Sequence, residues 1–388
     1  MLLQCTAGYP PAELPPLLLT DRGAPALFSI LIEGLADRFE PALCDAYALL
    51  LSRAIHPRDP AALVARYHRV RRRRPVTIQP RRVLVLSRVT LGADVAITSI
   101  LLDAAKQAYP GAEILFAGPR KNFELFADDP RLTHAPVEYP RGTLSQRLAV
   151  RDELIRLAEA PDCLVLDPDS RLTQLGLLPI CPEERYHLFE SRRYGGESDR
   201  TLSALASQWA RETLGVSGAS PYIAPADATA PPPRTGPYIA VSLGVGENSA
   251  KRISDTFEWQ LLALLSTRAP LVVDKGAGGE EGARVERVVA RSEARATLFG
   301  GSFAGFAHFI AGSSLYVGYD SAGQHVAAAC GVPLISIFAG FPSLRMFDRW
   351  RPSGPRVTVI RVDHPDPAGV LAKVAGALTG PPFGGSRD

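Results

Sequence analysis

With 388 residues, 46% of them hydrophobic and 21% charged, the chain has enough apolar material for two or three packed domains and does not read as a disordered polymer. A net charge of +3 gives no global reason to expect a nucleic-acid partner, and no uninterrupted apolar run approaches membrane-spanning length. Five cysteines, with the nearest pair (Cys163 and Cys181) eighteen residues apart, fit neither a zinc knuckle nor a disulfide framework, so a reduced, cytoplasmic setting is expected.

Met1–Cys5 lacks the basic start and long apolar core of a secretory signal. Residues 1–78 read as a helical N-terminal extension separate from the rest of the chain. Ala26–Leu35 and Leu43–Ile55 carry apolar residues at three- and four-residue spacing, Ala61–Arg73 is a third helix, and Pro41, Pro57 and Pro60 punctuate them. The run Arg69–Arg74 holds five arginines. A solvated helix end is the plain reading; the functional alternative is peripheral contact with an anionic membrane on its inner face.

From Val83 short apolar runs alternate with helical segments, the pattern of parallel βαβ units. Val83–Ser87, Glu113–Ala117 and Cys163–Asp167 are strands, Val95–Ala108 and Leu202–Leu214 helices, and together they define a Rossmann-like domain over residues 79–215. A Pro-, Ala- and Gly-rich stretch, 216–236, reads as a linker. A second α/β domain covers 237–379, with strands Tyr238–Leu243, Leu271–Asp274, Thr297–Phe299, Leu315–Tyr319, Val332–Phe338 and Val357–Val362, and residues 380–388 form a flexible tail. Two such halves are expected to face a central cleft.

Four segments carry chemistry. Arg88-Val-Thr-Leu-Gly-Ala-Asp-Val-Ala-Ile-Thr98 comes after the first strand; Ser242-Leu-Gly-Val-Gly-Glu-Asn-Ser-Ala-Lys-Arg252 comes after the first strand of the second half; then come Gly276-Ala-Gly-Gly-Glu-Glu281 and Tyr319-Asp-Ser-Ala-Gly-Gln-His325. In this order and spacing they resemble glycosyltransferase family 9, the ADP-heptose:lipopolysaccharide heptosyltransferases, over roughly residues 80–362. The resemblance implies a GT-B fold and inverting, metal-independent transfer of a sugar, by default heptose from ADP-heptose. The acceptor, a lipopolysaccharide-type glycan or glycolipid, is expected on the first domain and the donor on the second, with no cofactor beyond the nucleotide-sugar co-substrate. Three departures leave the sugar open: Ala93 separates Gly92 from Asp94, Ala322 stands where the family has glycine, and Lys251 is not followed by tryptophan. A different donor sugar, a small-molecule acceptor and a non-catalytic nucleotide-sugar scaffold are the alternatives.

Asp94 is the catalytic base implied by the resemblance, although aspartate is also a preferred helix N-cap. Lys251, behind Gly244 and Gly246, is expected to neutralise the leaving diphosphate together with the helix N-terminus that begins near Gly323. Asp320 and Ser321 are expected to bind donor hydroxyls or amides, His325 to orient the donor, and Glu280 and Glu281 to hold a ribose. Arg120, Lys121, Asp169 and Arg171 are the candidates for acceptor contact. Asp167-Pro-Asp169 imitates a metal-chelating Asp-x-Asp, but it lies in the acceptor half and is read as metal-free.

Overall fold

The computed structural model describes residues 1–8, 11, 13–56, 58–226, 236–246, 248–276 and 278–379. Most of the expected linker, 227–235, and the expected tail lie outside the described residues. The chain divides into two compact units: Met1–Phe123 with Pro130–Pro221 and Pro342–Trp350, and Glu124–Asp129 with Tyr222–Phe341 and Arg351–Asp388.

The first unit is built on a parallel sheet of β1 (Arg82–Leu86), β2 (Glu113–Gly118), β3 (Leu132–Pro136), β4 (Cys163–Asp167) and β5 (Tyr186–Leu188), in the order β3-β2-β1-β4-β5. β4 is buried throughout and β1 at every residue but its first, as expected for continuous Val and Leu runs covered on both faces. Two elements escape the sequence pattern. β3, Leu-Thr-His-Ala-Pro, has no β-branched run, and β5 is three residues long. A further helix, Leu144–Leu157, has no clear apolar stripe but starts on a capping box. There the Thr143 hydroxyl accepts from Gln146 N at 3.2 Å and the Gln146 side chain accepts from Thr143 N at 3.0 Å.

The second unit contains β6 (Ile239–Ser242), β7 (Leu271–Asp274), β8 (Ala296–Phe299), β9 (Leu315–Tyr319), β10 (Leu334–Ala339) and β11 (Val357–Val362). Their order is β11-β10-β9-β6-β7-β8, and β6 pairs in parallel with β9 through Ile239↔Leu315 to Ser242↔Gly318. In both sheets the chain works outward from a central strand in one direction, then returns to that strand's other side. The reversal falls between β1 and β4 and between β6 and β9, and loops leaving the carboxyl ends there diverge and leave a crevice.

Residue 78 is not a packing boundary, which corrects the expectation of a separate extension. Leu35, Tyr47, Leu51, Tyr67 and Val70 belong to one apolar cluster with Leu84, Val165, Tyr186 and Leu188 of the first sheet. Tyr47 and Tyr67 share a hydroxyl hydrogen bond of 3.0 Å, Tyr67 donates to Glu190, and Arg66 donates to the Gly176 carbonyl at 2.9 Å. The segment 342–350 also joins this unit. Arg345 donates to the carbonyls of Phe39 and Gly196, and Trp350 meets Phe39 edge-on with ring centroids 6.2 Å apart. Among the described residues no helix is long and apolar enough to cross a membrane.

Because the helices and the sheet share one apolar cluster, a chain beginning at residue 79 is expected to lose cooperative thermal unfolding and its near-ultraviolet dichroism. A truncated chain that melts as sharply as the parent would show that the first 78 residues are separable.

Candidate functional site

In the second unit the loops after β6 and β9 bring the expected residues together. The 3-10 turn Ser249–Lys251 carries Lys251, whose ammonium lies 2.7 Å from Asp320 Oδ2 and donates to the Asp320 carbonyl at 3.1 Å. Asp320 sits just past β9, and Ser321 begins the helix Ala322–Ala329 without making a side-chain cap. Gln324 donates to Asp320 Oδ1 at 2.5 Å and in turn accepts from Ser336 Oγ at 2.5 Å. Ser336, Gln324, Asp320 and Lys251 therefore form one relay that places a cation at the reversal point. Each carboxylate oxygen of Asp320 is engaged, Oδ2 by Lys251 and Oδ1 by Gln324, so in this arrangement Asp320 fixes the cation.

Two glycines allow this closeness. A Cβ at Gly323 would run into the Tyr316 hydroxyl, and one at Gly340 would lie 2.5 Å from the Ala250 carbonyl carbon. Gly340 also has φ +67°, which L side chains rarely adopt. His325 is buried; burial, with Lys251 adding to it and Asp320 opposing, lowers its pKa to about 4. The imidazole is neutral near pH 7, in keeping with orienting rather than proton transfer.

Glu281 and Glu280 separate in role. Glu281 tucks against the loop after β6, accepting from Val245 N at 3.1 Å, with its Oε1 about where Cβ atoms at Gly244 and Gly276 would crowd it. Glu280 is exposed and, with Val245, Gly246, Ser249, Glu281 and Arg287, borders a cavity of about 690 Å³. That volume lies within the range of small-ligand pockets. Gly246, exposed with φ +60°, turns the loop at its rim. Sequence reading missed the support beneath: Glu258, fully buried, receives Arg252 at 2.9 Å and Arg284, and Arg284 also donates to the Leu243 carbonyl at 2.9 Å. Arg284 and Glu258 lie on different helices, so no local spacing announces the pairing.

The first unit places the remaining candidates. The helix after β1 starts at Leu91 with Thr90 as its cap, and Asp94 opens a widened π turn, Asp94–Thr98, so it is not an N-cap. Its carboxylate is fully buried. Oδ2 accepts from Ser87 Oγ and Asn122 Nδ2, both at 2.6 Å, and Oδ1 from Arg88 N at 2.7 Å and Thr98 Oγ1 at 2.6 Å. Burial raises its pKa against the pull of those donors. With four donors on its two oxygens, Asp94 organises the loop after β1 in this arrangement.

Asp169, expected at the acceptor, is also buried: its Oδ2 pairs with Arg192 at 2.7 Å and accepts from Ser191 at 2.8 Å, while its Oδ1 is buried without a hydrogen-bond partner among the described residues. Asp167 accepts from Thr173 Oγ1 and Tyr186 Oη, both at 2.5 Å, so the two carboxylates of Asp-Pro-Asp serve separate partners. Arg171 pairs with Glu33 at 3.1 Å. Arg120 and Lys121 are exposed on the short helix Arg120–Phe123, while their neighbour Asn122 turns inward onto Asp94.

Asp94→Asn is expected to destabilise the chain by about 2–4 kcal/mol, because an amide NH2 must face one of the donors. Urea midpoints measure this; an unchanged midpoint with lost transfer would restore the base assignment. For His325 the folded pKa is depressed, so its contribution to stability is whole above its ordinary pKa of 6.5 and is lost as pH falls toward about 4. The thermal midpoint of His325→Gln should therefore fall less than that of the parent between pH 7 and pH 5.

Residues 226–371 match the model of glycosyltransferase family 9 (heptosyltransferase). Comparison with curated proteins gives no match. Among solved structures, E. coli heptosyltransferase WaaC with ADP-2-deoxy-2-fluoro heptose superposes with a TM-score of 0.56 and 17% identity, covering 76% of this chain and 98% of that one. The glycosyl transferase family 9 protein of Veillonella parvula gives 0.55 and 16%, over 74% and 88%. E. coli ADP-heptose lps heptosyltransferase II gives 0.54 and 17%, over 76% and 98%. These likenesses establish the GT-B fold, and the matched span contains Lys251, Glu281, Asp320 and His325. Over residues 226–371, mostly within its second unit, the chain is thus similar to glycosyltransferase family 9 (heptosyltransferase).

Proposed function

We propose that the protein transfers a sugar from a nucleoside diphosphate to a glycan or glycolipid, with the diphosphate held by the second unit. The observation that carries this is the Lys251 ammonium, fixed 2.7 Å from Asp320 beside the first turn of Ala322–Ala329, inside the span matched by family 9. As the glycosidic bond breaks, negative charge grows on the leaving diphosphate. An ammonium already in place, with backbone N–H groups at a helix start, lowers the energy of that charge without waiting for a side chain to reorganise. Charge supplied this way is the basis for reading the reaction as metal-independent. Inversion then requires the acceptor oxygen to attack from the opposite face. Asp94 would take its proton only if the loop after β1 released it, so we assign Asp94 to positioning.

ADP-heptose is the default donor because of the resemblance and because WaaC was solved with an ADP-linked heptose analogue. Ala322, in place of the family's glycine, adds a methyl at the start of the donor helix and favours testing other sugars. A panel of nucleotide sugars read by product mass names the donor; a protein that binds ADP yet transfers from none would be a scaffold.

Lys251→Ala is expected to weaken ADP binding at least about tenfold, a loss of about 1.4 kcal/mol, in titration calorimetry with EDTA present. Equal affinity in parent and variant would remove Lys251 from the site.

A further inference from the structure

The charges of Arg69–Arg74 are mostly committed within the first unit. Arg69 pairs with Glu183 at 2.8 Å, Arg71 with Asp45 at 2.5 Å and Arg73 with Glu212 at 2.7 Å, while Arg74 donates to the carbonyls of Glu183 and Tyr186. Arg72 differs. It is exposed, and among the described residues its guanidinium has no hydrogen-bond or ion-pair partner.

Arg72 stands on a cavity of about 350 Å³ that is also bordered by His68, Arg71, Glu190, Arg193 and Tyr194. Arg71 and Arg193 reach it already fixed, held on the two oxygens of Asp45 at 2.5 and 2.8 Å. Three guanidinium groups thus face one space, and the fixed carboxylate behind them offsets one charge. The other acid on the wall, Glu190, receives the Tyr67 hydroxyl, and burial pushes its carboxyl up to about 7, so it is a weak counter-charge near neutral pH. Tyr194 turns its hydroxyl away, onto Glu212. Collecting like charges around a cavity is unfavourable unless an anion enters, and planar guanidinium forks match the oxygens of a phosphate better than any other common anion except a carboxylate.

We propose that this cavity is a second anion site of the protein, taking a terminal phosphomonoester carried either by a soluble phosphorylated compound or by a phospholipid headgroup. The space exceeds that of a phosphate alone and leaves room for the group that bears it. The site does not depend on the donor reading: every residue bordering it lies in the first unit, and His68, Arg71 and Arg72 come from the helix Pro60–Val70 and the turn that follows it, which the family match does not include.

Inorganic phosphate titrated into the full chain at constant ionic strength tests the site, alongside sedimentation with phosphatidylcholine vesicles with and without phosphatidic acid. Arg72→Ala should weaken binding about tenfold or more while leaving the thermal midpoint unchanged, since Arg72 holds no partner in the fold. Arg193→Ala should weaken it too. A loss seen only with vesicles assigns the headgroup, and a loss seen in the phosphate titration assigns a soluble ligand. Equal binding by parent and Arg72→Ala in both arms, or no binding by the parent in either, would overturn the proposal. ADP affinity measured on the same samples reports separately on the second unit and should be unchanged in Arg72→Ala.

Discussion

Reversal of strand order in a parallel sheet is the constraint on which the rest of this structure depends. Where β6 is flanked by β7 on one side and β9 on the other, the connections leave in opposite directions and no backbone closes the space above the strand ends. Side chains must fill or use that space. In the second unit it holds Lys251, Asp320 and Gln324; in the first, between β1 and β4, it holds Asp94, Arg88 and Asp169.

The two crevices are furnished differently. The first is closed by Asp94, whose two oxygens are taken by hydroxyls, a side-chain amide and a backbone N–H, and by Asp169, whose Oδ2 takes Ser191 and the buried Arg192; such networks rigidify a loop because each partner removed leaves an unsatisfied buried group. The second contains a partly exposed ammonium on a single carboxylate, backed by a relay that ends at Ser336 in β10. An incoming diphosphate meets a cation whose position is set before binding, so little of the interaction is lost to ordering the side chain. The N-terminal helices contribute rigidity of the same kind. Tyr47, Tyr67 and Glu190 form a buried polar chain between those helices and the loop after β5, and Arg71 and Arg193 share Asp45 from opposite sides of the same junction.

Most of the sheet was legible because its strands are continuous Val, Leu and Ile runs, a strong local signal; β3 and β5 were not, being held by their neighbours rather than by composition. The cluster of Gly244, Gly246, Lys251, Asp320 and His325 was legible from motif order. What those groups do to each other was not: nothing local shows that Asp320 holds Lys251 and Gln324, or that Asp94 accepts from four donors. Tertiary hydrogen bonds over 28 residues, as from Asn122 to Asp94, or 69, as from Lys251 to Asp320, leave no trace in local periodicity. The apparent independence of residues 1–78 failed for the same reason, since its apolar stripes read equally well against one another or against a sheet that comes later in the chain.

Hydrogen exchange on the full chain with and without ADP is the most direct measurement of where the diphosphate sits. The donor reading predicts slowed exchange in the loop after β6, through Lys251, and in the first turn after β9, around Asp320 to His325, with the loop that carries Asp94 unchanged. Protection confined to the first unit, or no protection at a saturating concentration of ADP, would contradict it.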